Sequence, residues 1–381
     1  MTKWRHIAES IETLEGLALQ DDLVAELERR RSRLSSPQPG IHFYTPTFKS
    51  FQTSEIKGCG RNAWPAISIT GSDCKLQCDH CKAKILEPMT AARTPEQLWT
   101  AVEGLVAGGA QGMLLTGGSN HRNEVEYDPY YPVVRRVKDT WPSFKIAVHT
   151  ALVDTGAAQR MEDAGIDVAM MDVIGAQETI TQVYHLKRPV ADFERTLETL
   201  VATKMKVVPH IVIGLHYGRL LGERNALEII RRHQPDALVL VVVMPMYATP
   251  KRPFITPDPH EVGRFFLEVR ETLPDIPLLL GCARPPGAAK TIIDTYAIMA
   301  GLNGMAHPSD GMVELAARLG RPVRVTPACC SIAVGEEVMA LETEDKSLTL
   351  DIQTILKQEQ QRRRLKGIQV VSEGTGGCCG T

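Results

Sequence analysis

Strand-like and helix-like segments alternate eight times between residues 65 and 319 of this 381-residue chain, and few folds accept that pattern. Short apolar runs lie at 66–70, 112–116, 145–149, 167–172, 207–215, 237–244, 277–281 and 303–306. Runs with helical spacing lie between and after them, at 95–107, 130–140, 155–164, 190–203, 220–232, 260–273, 288–300 and 311–319. A strand followed by a helix and then another strand makes a parallel pair, because parallel neighbours need a crossover. Eight such units predict an α/β fold, a (β/α)8 TIM-type barrel. A doubly wound open sheet is the alternative architecture.

The flanks differ from this core. Residues 1–60 read as an N-terminal helix followed by an extended segment: Ile7, Ile11, Leu14, Leu17 and Leu19 share one face, and Val24, Leu27 and Leu34 continue it. The Ser-Ser-Pro-Gln-Pro-Gly stretch at 35–40 ends the helix, and an aromatic-rich extended segment spans 42–51. Residues 61–320 form the barrel. Residues 321–381 are a C-terminal extension, extended at 323–333, with a small hairpin expected from 335–343 and 347–352, a charged helix at 355–366 and a Gly-rich tail holding Cys378 and Cys379. The formal net charge of −2 gives no field for nucleic acid or an anionic membrane. No apolar run reaches the roughly 18 residues of a membrane span, and residues 1–20 lack an apolar signal core. A cytoplasmic location is the expectation.

Barrels place chemistry on the loops after their strands. Those loops are unusual here. They read Gly117-Gly118-Ser119-Asn120, Gly214-Leu215-His216-Tyr217-Gly218, Pro245-Met246-Tyr247-Ala248-Thr249-Pro250 and Cys282-Ala283-Arg284-Pro285. The loop after the first strand reads Cys74-Lys75-Leu76-Gln77-Cys78-Asp79-His80-Cys81. There are nine cysteines, an odd number in a large chain, which favours metal or sulfur chemistry over a disulfide framework. Three thiolates on one short loop can bind three irons of a cubane cluster and leave the fourth open. A zinc site would want a fourth Cys or His in matching spacing; His80 is too close to Cys81 to be an obvious one, so Cys282 or a tail cysteine would have to supply it. Cys59, Cys282, Cys329 and Cys330 remain as candidate ligands of an auxiliary iron–sulfur cluster, with Ser331 a conceivable oxygen ligand and Cys329 and Cys330 too close together for both to serve readily. Cys378 and Cys379 allow sulfur relay, a redox pair or a plain terminus.

The CxxxCxxC loop resembles that of the radical S-adenosylmethionine (SAM) superfamily. The resemblance covers residues 65 to about 319 and implies a [4Fe–4S] cluster on Cys74, Cys78 and Cys81, with SAM on the open iron and an external electron donor. It implies reductive cleavage of SAM to a 5′-deoxyadenosyl radical. Gly117, Gly118 and Asn120 look like the family's glycine motif beside the SAM amine, and a tight turn is the plain alternative. Gly214 ends a segment resembling the one beside adenine. Asp172 and Arg188 become ribose and carboxylate partners. The family's usual aromatic residue before the third cysteine is His80 here. His149 and His210 read as core histidines, and Arg284 as a substrate-positioning or cluster-tuning side chain.

Within the superfamily, the stretches from Met244 to Pro250 and from Gly281 to Pro285 resemble the biotin-synthase-like group. Ile67-Ser68-Ile69-Thr70-Gly71, His80-Cys81-Lys82 and Ile85-Leu86-Glu87-Pro88-Met89 look like the two-component lipoyl synthases. That resemblance implies sulfur insertion into an octanoyl chain on a lipoyl carrier protein, an auxiliary [4Fe–4S] cluster as sulfur donor, and a paralogous partner chain. The single-chain lipoyl synthase carries an N-terminal CxxxxCxxxxxC, which this chain lacks. A hydrogenase-type metallocofactor maturase and a non-catalytic iron–sulfur carrier are the other readings.

Overall fold

Each apolar run of the core becomes a strand, and every neighbouring pair in the sheet is parallel. A computed structural model describes residues 2–31, 40–46, 53–56, 64–244 and 253–332. Cys59, Cys378, Cys379, the 245–250 motif and the expected elements beyond residue 332 lie outside the described residues. The strands are β1 (Ile41–Tyr44), β2 (Ala66–Ser68), β3 (Thr90–Ala91), β4 (Gly112–Thr116), β5 (Lys145–His149), β6 (Val168–Asp172), β7 (Lys206–Ile213), β8 (Leu238–Val242), β9 (Leu278–Leu280), β10 (Gly304–Ala306) and β11 (Val323–Thr326). The helices are α1 (Lys3–Glu9), α2 (Asp21–Arg31), α3 (Pro95–Ala107), α4 (Tyr131–Thr140), α5 (Thr155–Ala164), α6 (Gln177–Gln182), α7 (Val190–Val201), α8 (Glu223–His233), α9 (Pro259–Thr272), α10 (Ala288–Ala300) and α11 (Met312–Arg318).

Local chemistry explains the boundaries. The Thr94 hydroxyl caps α3 by accepting from Gln97 N, with Pro95 at the first helical position. Asp154 caps α5, and Gly165 ends it in the left-handed conformation. The single N-terminal helix expected from periodicity is instead α1 and α2. Gly16, at φ +69°, lies in the stretch between them.

The sheet order is β11-β1-β10-β9-β8-β7-β6-β5-β4-β2-β3. The expected barrel of eight paired strands is therefore corrected. The sheet has eleven strands, and among the described residues its two edges are not hydrogen-bonded to each other. The physical reason is that β10 pairs with β1 rather than with β2, and β11 then pairs with β1.

The sheet still curls. Ala147, Val168, Met170, Val208, Val239, Leu279 and Ala306 project from one face and pack in a single cluster with Tyr44 and Trp64. Side chains from β5 through β10 and β1 meet in that way only on the concave face of a curved sheet. Ala328 and Cys330 belong to the same cluster. The chain leaving β11 thus turns inward, and the 3-10 turn Cys330–Ile332 touches both β6 and β10. The convex face packs under the helices in the larger core cluster. No helix among the described residues is long and apolar enough to cross a membrane.

Candidate active site

All strands run the same way, so their C-terminal ends ring one mouth, and a cavity of about 330 Å3 opens there. Cys74, Cys78 and Cys81 line one side of it. Cys78 is buried, and the other two are half-buried. The segment after β4 holds their loop. Gly118 N donates to Thr70 Oγ1 at 2.7 Å, and Lys75 N donates to Ser119 O at 2.8 Å. A Cβ on Gly118 would lie 1.9 Å from Asp73 O and 2.6 Å from Cys74 Cα. Gly118 is therefore what lets the cysteine loop close onto β4. Burial pushes the Cys78 thiol well up, with the neighbouring thiols adding to it. Burial also opposes ionisation of Cys81, but the charge and hydrogen bond of His80 outweigh it and bring its pKa down.

Cys282, Cys329 and Cys330 line the same cavity. Cys282 follows β9, and the vicinal pair arrives on the inward turn after β11. The Ser331 hydroxyl donates to Cys329 Sγ at 3.0 Å. Hydrogen bonding from Cys330, opposed by burial and helped by Ser331, brings the Cys329 thiol down to about 7. The same bond and burial push Cys330 well up. Cys329 is thus the better thiolate of the pair.

Between the two cysteine sets lie His149 and Asp172, at the ends of β5 and β6, and His210, within β7 and paired in register with Asp172. Strand alternation puts them on the concave face, one step above Ala147, Met170 and Val208. They face the cavity, the barrel-interior placement that their strand positions allow, rather than a packed core. His149 Nε2 lies 3.6 Å from Asp172 Oδ1, and the two imidazoles are 5.2 Å apart, edge to face. The Tyr184 hydroxyl donates to Asp172 Oδ2 at 3.5 Å. Burial works against the Asp172 charge, but His149 outweighs it and holds the carboxyl at about 2. Burial likewise opposes a charged His149, and Asp172 again prevails, so that pKa rises. Burial, followed by the His149 charge, takes His210 down to about 4. The pair therefore divides into one imidazole that favours its charge and one that stays neutral.

Other expected residues stand elsewhere. Asn120 does not line the cavity, since its Oδ1 accepts from Arg122 N and Glu124 N in a local turn. Arg188 pairs with Glu124 at 3.4 Å and Asp192 at 3.3 Å, away from the wall. Gly214, at φ +78°, is a turn residue whose N–H donates to Glu223 Oε1. Arg284 is fully buried. It pairs with Asp294 at 2.8 Å and donates to the carbonyls of Gly281, Ala306 and His307, tying the end of β9 to that of β10. That use leaves it no free face for a substrate.

Among the described residues, no three His, Cys, Asp or Glu side chains converge closely enough to share one metal ion. Three thiols spread along a cavity wall suit a polynuclear cluster, whose corner irons are held apart. The all-sulfur donor set of the loop fits that group as well.

No family model matches the chain, and no curated protein sequence matches it. Solved structures do. The crystal structure of HydG, a maturase of the [FeFe]-hydrogenase, matches with a TM-score of 0.54 at 13% identity, over 88% of this chain and 78% of that chain. This chain shares the HydG fold. Methylornithine synthase (PylB) matches with a TM-score of 0.49 at 11% identity, over 84% of this chain and 96% of that one. HydG from Carboxydothermus hydrogenoformans gives 0.49 at 13%, over 84% and 77%.

Sequence reasoning missed Tyr184 and Asp79. Tyr184 follows α6, a helix too short to stand out in periodicity, and its ring lies 5.2 Å from that of His80. Asp79 was visible as a carboxylate between two candidate ligands, and that position was its one signal.

Proposed function

We propose that this chain is a radical SAM enzyme of the cytoplasm, with a [4Fe–4S] cluster on Cys74, Cys78 and Cys81, and that it inserts sulfur into an octanoyl chain on a lipoyl carrier protein. One observation carries the reading. The loop cysteines and a second set, Cys282, Cys329 and Cys330, line a single cavity. Bound there, the cluster and SAM would supply a 5′-deoxyadenosyl radical for hydrogen abstraction, and an auxiliary cluster would supply sulfur.

The chain's own residues prepare that chamber. Gly117 and Gly118 present backbone beside the cysteine loop. Asp172, kept ionised by His149, is an acceptor for ribose hydroxyls. Leu76, Leu86, Met89, Val125 and Val212 line the wall and exclude water from an unactivated C–H bond. Cys329 is the better placed thiolate for the second group, and Cys282 stands on the same wall. A paralogous chain and an external electron donor are the remaining partners in this reading.

The fold shared with HydG over most of the chain favours a second reading, a metallocofactor maturase acting on a small thiol-containing substrate. Reductive SAM cleavage, assayed with and without an octanoylated carrier peptide and the paralogue, separates the possibilities. The expected result is 5′-deoxyadenosine together with a sulfur mass gain on the peptide. 5′-Deoxyadenosine with no sulfur gain under either condition favours the maturase. No 5′-deoxyadenosine at all overturns both and leaves an iron–sulfur carrier.

A further inference from the structure

The cysteine loop contains a carboxylate that the chemistry above does not use. The Asp79 side chain is 9% exposed and accepts three hydrogen bonds: Lys82 Nζ at 2.6 Å, His185 Nε2 at 3.0 Å and the Tyr217 hydroxyl at 2.9 Å. Its own N–H donates to Val183 O at 2.8 Å. Lys82 belongs to the same loop and also donates to Gln77 O at 2.8 Å. His185 lies beyond α6, and Tyr217 lies beyond β7. One carboxylate thus joins the loop after β2 to two segments on the far side of the mouth.

The backbone gives an independent sign. Lys82, His185 and Tyr217 have φ of +46°, +56° and +54°, and Gln77 and Ala83 in the loop have +49° and +61°. Side chains with a Cβ avoid that region at about 1–2 kcal/mol each. Such strain persists only where surrounding contacts over-determine it, and here all three side-chain donors to one carboxylate carry it. Tyr217 continues the tie outward, because its ring packs on Phe254 at 4.9 Å and its carbonyl accepts from Ile255 N.

We propose that Asp79 is a positioning residue for the cluster, tying the cysteine loop to the segments after α6 and β7 and pairing the Lys82 ammonium so that this charge does not stand unpaired beside the cysteines. This rests on the reading that Cys74, Cys78 and Cys81 hold a cluster. In a poorly solvated site, an uncompensated cation favours the reduced cluster and raises its potential.

The test uses full-length protein reconstituted anaerobically with iron and sulfide. It measures iron content, the midpoint potential of the cluster and the EPR spectrum of the reduced cluster with SAM. Asp79→Asn keeps the loop-cysteine cluster but shifts its potential upward and broadens the EPR signal. Tyr217→Phe broadens the signal and leaves the potential in place, because the charge remains. Lys82→Met shifts the potential downward. Wild-type potential and line shape in Asp79→Asn overturn the proposal. If that variant is insoluble, unchanged spectra and potentials in both other variants overturn it. Wild-type protein that binds no iron defeats the underlying reading instead, and the iron count tells the two failures apart.

Discussion

A single missing Cβ decides how near the cysteine loop comes to β4. At Gly118 the added atom would meet backbone, Asp73 O and Cys74 Cα, and backbone cannot rotate away. At Gly117 it would meet the Ile69 side chain first, at 2.8 Å. Gly118→Ala is expected to cost about 1–3 kcal/mol in chemical denaturation and to lower the iron retained on reconstitution, with Gly117→Ala milder on both counts. Equal effects at the two positions would contradict this account. Glu55 offers a pH test. It accepts from Val313 N and Glu314 N at the start of α11. Burial, only partly offset by backbone hydrogen bonds, raises its pKa to about 7. A carboxyl raised in the folded state contributes fully when protonated in both states, and stability falls as pH climbs from about 4 to about 7. Glu55→Gln should flatten that fall in denaturation midpoints across the window. An unchanged slope would contradict it. The glycines were legible as a motif, but what Gly118 approaches, the Glu55 contacts and the Asp79 tie to His185 and Tyr217 were not, because those partners lie far away in sequence, 138 positions in the case of Asp79 and Tyr217.

Strands and helices were far more legible. Apolar runs bounded by turn residues fall on β2 and β4 to β10 within a few positions, because buried parallel strands need nothing but continuous apolar side chains. The segments at β1 and β11 read only as extended. Four residues with aromatic or charged neighbours carry no signal for which edge they join, and that choice is tertiary. The Arg284–Asp294 pair shows the same limit. Arg284 reads in the sequence as a substrate-positioning or cluster-tuning residue; it staples β9 to β10 with Asp294 and both side chains fully buried, which removes the first role, while its charge still acts on Cys330. Removing Arg284 leaves Asp294 to Lys290 and Ser309 and orphans the buried carbonyls of Gly281, Ala306 and His307, so Arg284→Met is expected to cost about 2–4 kcal/mol in urea denaturation. A cost below about 1 kcal/mol for the single variant would show the pair to be incidental.

In the molecule as a whole, the turn after β11 brings the two cysteine sets together. The triad was legible in the sequence because all three thiols sit on one short loop. Of the company they keep, Cys282 was legible from its place at a strand end, whereas the curl of the sheet and the inward path through Ala328 and Cys330 bring Cys329 and Cys330 to the same chamber. The proposed function requires this chamber to serve two clusters. Iron and acid-labile sulfide, counted per chain after anaerobic reconstitution, test it most directly. The expected count is about eight of each for the wild type, falling to about four in a variant combining Cys329→Ser and Cys330→Ser that still cleaves SAM. About four irons in the wild type, or a double variant that keeps the wild-type count, would contradict it.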